Sequence, residues 1–177
     1  MRNGHLELRQ RYKLLYEDYV RDYKSYLHLR GFGSHHNDWF FVKRGFIACW
    51  FAPGFHRFWQ TWNPGIGYFT YRLYLWLIGK GLSGKHKRNL AIILTFLING
   101  LIHNLVVMII LRRGSIPLPF TFFAMGFFTV ISYALDKILH FKRWPKIVHL
   151  ALNASLIMIA FDFGFQMDDL FFTIIFH

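Results

Sequence analysis

Three apolar runs of roughly twenty residues constrain this chain more than anything else in it: Asn89 to Leu111, Pro117 to Leu135 and Lys146 to Phe163. Each approaches the ~20 residues that an α-helix needs to cross the hydrocarbon of a bilayer. Inside hydrocarbon every backbone N–H and C=O must find a partner within the protein, which leaves helices and closed barrels as the only spanning structures. An all-α integral membrane protein is therefore expected, its three spans forming the core of a multi-helix transmembrane bundle.

The remaining apolar stretches are of a different kind. Trp39 to Trp62 is interrupted by Lys43, Arg44, Pro53, Gly54, His56 and Arg57, which predicts a broken or re-entrant aromatic segment lining the protein interior. Tyr68 to Ile78 is too short to cross on its own. Upstream, Tyr12, Tyr16, Tyr19, Tyr23 and Tyr26 recur at steps of four and three, the spacing of one helical face, with Arg11, Glu17, Arg21 and Lys24 opposite. Such an amphipathic N-terminal helix suits the headgroup boundary or a partner helix. Gly31 to Asp38 reads as a turn, and its His35 and His36 lack the further ligands of a metal site. The chain thus divides into a tyrosine-striped leader, 1–38, and a membrane-embedded core, 39–177.

A net charge of +12 raises the question of nucleic acid. The basic residues, however, sit between the apolar runs and form no RNA-binding or zinc-finger pattern, so no nucleic-acid partner is expected. Their distribution instead predicts topology. Lys80, Lys85, Lys87 and Arg88 precede the first span, and Lys137, Lys142, Arg143 and Lys146 separate the second from the third. By the positive-inside rule, loops 80–88 and 137–146 are cytoplasmic and the C-terminus, with Asp168 and Asp169, is outside. The charge also suits contact with membrane lipids. The N-terminus has no apolar core of a cleavable signal peptide. Cys49 is the only cysteine, which excludes an intrachain disulfide, and no metal site is expected.

Within the first span, Thr95, Asn99 and His103 follow i, i+4, i+8 spacing and share one helix face. An ionisable imidazole at that depth is costly and marks a functional position or a structural hydrogen bond to a neighbour. Asn63 precedes Pro64, which disfavours helical backbone at Asn63 and predicts a break there. His149 and Asn153, and Thr129, Ser132, Tyr133 and Asp136, read as hydrogen-bonding glue between helices. His56 and Arg57 read as anchors at the interface. A haem held between His103 and His149 is a second chemistry that the histidines suggest.

The elements FWQTWN, ending at Asn63, and TFLINGLIHN, containing His103, resemble in order and spacing the core of the membrane-bound O-acyltransferase family. The resemblance covers roughly Trp39 to Asp136; family members are usually more than twice as long, and the chain matches mainly the C-terminal catalytic core. It implies His103 as the catalytic base and Asn63 as its supporting residue. It also implies an acyl group moving from a thioester, acyl-coenzyme A as co-substrate, to a hydroxyl of a lipid, glycan or other acceptor, with no bound cofactor. Acyl transfer needs a base for the alcohol proton and donors for the oxyanion. Asn99 and Asn104 could supply amide donors, while Trp59 and Trp62 would wall the chamber against water. The short length also suits a noncatalytic subunit that assembles as a homo-oligomer or with a membrane protein partner.

Overall fold

The computed structural model describes residues 17–30, 32, 42–81, 84–112 and 117–176. Tyr12, Tyr16, His35, His36, Trp39 and Arg113 lie outside the described residues, as does the Lys85 side chain. Every regular element among the described residues is helical. Helix α1 is described over 17–29, and a π-helical turn, Lys43–Ile47, runs directly into a 3-10 turn, Ala48–Phe51. There follow α2 (Phe55–Thr61), α3 (Pro64–Gly79), α4 (Lys85–Leu111), α5 (Pro117–Leu139) and α6 (Lys146–Phe176), with a 3-10 turn, Phe141–Arg143, before the last.

Stretches of α4 (Lys87–Ile110), α5 (Pro117–Leu139) and α6 (Lys146–Ile174) are long and apolar enough to cross a membrane. The first two match the runs expected from sequence. The third continues eleven residues past Phe163 because helical hydrogen bonding is indifferent to side-chain polarity, and Asp162 closes a bond with Gln166 one turn on, at 2.7 Å. Sharp local signals set the ends. Pro117 opens α5 where a missing N–H costs nothing, and left-handed backbone at Arg112 and His140 closes α4 and α5.

These three helices pack in sequence, α4 on α5 and α5 on α6, and glycines set how closely. A Cβ on Gly100 would lie 2.8 Å from the Phe122 Cβ and 2.9 Å from the Leu118 carbonyl oxygen. One on Gly126 would lie 3.1 Å from the Ile93 Cα, and one on Gly164 would collide with Thr121. Without side chains at these points the backbones reach dispersion contact along their length, the main attraction available between helices in an apolar medium. Phe55, Phe96, Ala124, Met125 and Ala160 fill the space between them.

Residues 42–62 form the broken segment expected from sequence, and three later helices hold it. Asn153 of α6, fully buried, donates through Nδ2 to the carbonyls of Trp50 and Ala52 at 2.9 and 3.1 Å, satisfying groups that an irregular backbone would otherwise strand. At the start of α2, Gly54 has φ 96°, and a Cβ there would meet Phe141, His56 and Ser132. From that root α2 climbs until Trp59 meets Phe96 of α4, ring centroids 5.1 Å apart. The chain then turns at Asn63, whose N–H donates to the Gly45 carbonyl at 3.0 Å, and returns as α3 to the basic end of the bundle. The first turn of this segment, at Gly45, thus lies against its last, at Asn63 and Pro64.

The described part of the leader packs on α3. Tyr19, Tyr23 and Tyr26 all meet the ring of Tyr68 edge-on at 5.2 to 5.5 Å, and Asp22 pairs with Arg72 at 2.9 Å. Of the two settings expected for the tyrosine face, the headgroup boundary or a partner helix, its described part takes the second, against α3, with Tyr26 and Tyr68 buried.

Candidate functional site

His103 lies on α4 three residues beyond the Gly100 contact, half-buried, its ring stacked on Phe122 at 5.1 Å between centroids. Its Nδ1 is 2.8 Å from the Asn99 carbonyl oxygen. A carbonyl can only accept, so Nδ1 carries a proton and donates it to this bond. The same backward step repeats down the helix: Asn99 Nδ2 donates to the Thr95 carbonyl at 2.8 Å, and Thr95 Oγ1 donates to that of Ala91 at 2.7 Å. The polar face inferred from the i, i+4, i+8 spacing is present, and each of its three side chains makes a hydrogen bond within α4 itself. Asn104, on the adjoining face and buried, places its Nδ2 3.1 Å from the Met108 sulfur.

Trp59 and Trp62 stand edge to face, centroids 5.3 Å apart. The Trp59 indole N–H is buried with no partner among the described residues, a donor without an acceptor in the protein interior. Asn63 adopts left-handed backbone, φ 35°, and turns its side-chain oxygen onto the N–H of Ile66 at 3.3 Å, capping α3 with Pro64 at the first helical position. Its carboxamide thus serves the helix it begins. The structure brings together Trp59 with Trp62 and His103 with Asn99; no hydrogen bond joins Asn63 to His103. One cleft lies between α1 and α3, lined by Tyr26, Tyr68, Tyr71 and Arg72.

Haem ligation by His103 and His149 does not fit. Gly100 and Gly164 both contact the start of α5, at Leu118 to Phe122 and at Pro117 to Thr121, so they stand at similar heights on two parallel helices. His103 is three residues beyond the first and His149 fifteen before the second, which separates them by roughly 27 Å along the bundle at ~1.5 Å per residue. One iron cannot bind both.

A second polar cluster, read from sequence as separate anchors and helix glue, proves to be one network at the root of α2. Ser132 Oγ accepts the His56 backbone N–H at 3.3 Å and lies 3.2 Å from Nδ1, within hydrogen-bond distance. The opposite nitrogen, Nε2, faces Asp136 at 3.5 Å, with Arg57 at the same distance from the carboxylate. Asp136 also accepts the N–H of Phe141 at 3.1 Å. Burial lowers the His56 pKa below its ordinary value, with Asp136 opposing and Arg57 reinforcing the shift. The shift favours the neutral imidazole. The two ends of this network are more than seventy residues apart in the chain, so no local spacing signals it.

The class these features define is an all-helical protein with three helices fit to span a membrane and an irregular aromatic segment set among them. Comparison with protein-family models, curated proteins and solved structures finds no match to this chain.

Proposed function

We propose that the protein is a multi-pass integral membrane acyltransferase that moves an acyl group from acyl-coenzyme A to the hydroxyl of a lipid or glycan acceptor. The observation that supports this reading is the 2.8 Å contact between His103 Nδ1 and the Asn99 carbonyl. With Nδ1–H committed to the Asn99 carbonyl, Nε2 is the acceptor of the half-buried ring in its neutral form, as a general base requires. In the reaction Nε2 takes the acceptor hydroxyl proton as the oxygen attacks the thioester carbonyl. The carbon–sulfur bond breaks, and the departing thiolate of coenzyme A receives the proton from the imidazolium. The Trp59 indole N–H, unclaimed by protein, is a candidate donor to the acyl group, and Trp62 beside it excludes water. Loops 80–88 and 137–146 face the cytoplasm, where the thioester is supplied, and the C-terminus lies outside.

The capping role of Asn63 favours a second reading, a noncatalytic subunit that keeps the architecture while this residue serves the helix alone. Coenzyme A release by the protein in lipid, with short and long acyl donors and a membrane extract as acceptor, separates the two. Release that requires the extract and falls at least 100-fold in His103→Gln supports the transferase. Equal signal from wild type and variant, both folded, removes the catalytic role.

A further inference from the structure

Helix α6 carries a polar stripe on the face turned away from the bundle. Ser155, Asp162, Gln166, Asp169 and Thr173 are spaced by seven, four, three and four residues, and all five are exposed. At ~100° per residue they fall within an arc of about 60°. His149, Asn153, Ala160 and Gly164, the residues of α6 buried in the bundle, lie on the opposite side. Asp162 stands sixteen residues into the candidate span Lys146–Ile174, about 24 Å from its start and near its centre. Gln166 donates one hydrogen bond to its Oδ2 at 2.7 Å, leaving the other acceptor positions of the carboxylate turned outward.

Lipid supplies no donor to such a group, and ionisable residues in spans face protein or water and take a partner. The five polar residues share one arc and repeat near the heptad interval at which one helix meets another. We propose that this stripe docks a transmembrane helix of another protein, one that places a basic side chain opposite Asp162 and a second, two turns along, opposite Asp169. A second copy of this chain fits poorly. A symmetric contact through the stripe sets carboxylate against carboxylate, and the stretches 89–110, 117–136 and 147–174 hold no lysine or arginine. Their only imidazoles, His103 and His149, are stacked on Phe122 and buried, respectively.

The inference rests on the membrane reading and is independent of catalysis. The full chain, carrying a fluorescent donor on a tag after His177, is reconstituted in phosphatidylcholine vesicles with synthetic 24-residue leucine/alanine transmembrane helices carrying an acceptor dye. The helices bear a central lysine, two lysines seven residues apart, or norleucine. The lysine helix should associate about tenfold more tightly than the norleucine helix and the two-lysine helix more tightly still, with the preference lost in Asp162→Leu and weakened in Asp162→Asn. A norleucine helix that binds equally well, or a lysine preference that survives Asp162→Leu, overturns the docking surface. Self-association of the protein that disappears in Asp162→Leu overturns the choice of a foreign partner. Extraction of the chain from the vesicles by alkaline carbonate brings down the membrane reading and the docking surface with it.

Discussion

Asn153→Ala should loosen one defined part of this protein, and the chain contains its own reporter. The Asn153 carboxamide donates to the Trp50 and Ala52 carbonyls, and its removal strands both in a buried setting. Each unsatisfied acceptor costs ~1–3 kcal/mol. Deleting the unpartnered Oδ1 offsets part of this, so the segment should open about 3 kcal/mol more easily, or roughly 100-fold more often at ~1.4 kcal/mol per decade. Cys49, the only cysteine, sits in the same 3-10 turn with 1% of its surface exposed, and burial pushes its thiol up to about 11. The folded wild type should therefore react with maleimide only through opening of this segment. Labelling in mild detergent at pH 7.5, followed by mass, should be slow in wild type and about 100-fold faster in Asn153→Ala. Asn99→Ala, whose carboxamide bonds only within α4, should leave the rate unchanged. A wild type labelled at the rate of a free thiol, or a variant labelled within twofold of wild type, would refute the reasoning.

Helix contacts, pH and topology offer further checks. Gly100→Val should abolish the folded state or lower its melting temperature by more than 10 °C, because the added carbons fall on the α5 backbone. Gly79→Ala, with nothing within 4 Å of the new Cβ, should be neutral or stabilising by up to about 1 kcal/mol, read in the same thermal scan. His56 has a lowered pKa in the folded state, so the unfolded chain binds its proton first. Stability should be full above about 6.5, decline as pH falls below it towards the folded value, and lose that slope in His56→Gln. A reporter fused after His177 should read as external, and a cytoplasmic signal would reverse the assigned orientation.

The parts of the fold legible in the sequence are those written in local patterns. The apolar runs gave α4 and α5, and the interruptions after Trp39 marked a segment that could not be a continuous span. The Thr95, Asn99, His103 spacing put three polar groups on one face, and the hydrogen bonds along α4 follow that spacing. What stayed hidden depends on partners distant in sequence. Nothing near His56 points to Ser132, and nothing near Asn153 points to the carbonyls it holds, since main-chain acceptors have no sequence signature. Asn63 shows a subtler limit. Asn-Pro correctly marks a break, but whether its carboxamide faces inward or caps the next helix is decided by one side-chain rotation.

The broken segment also imposes a timetable. Its backbone is held by groups that are synthesised 76 to 103 residues later. At ~5–20 residues per second, that is about 4 to 20 s during which residues 42–62 exist without Ser132 or Asn153. Stranded carbonyls are poorly tolerated in hydrocarbon, so on the membrane reading proposed above this part of the chain waits in water, at the surface or in the care of the insertion machinery until α6 arrives. This early-made segment is thus the last to settle, and any lesion that delays α6 leaves Cys49 and the neighbouring tryptophans without Ile157, their packing partner on that helix.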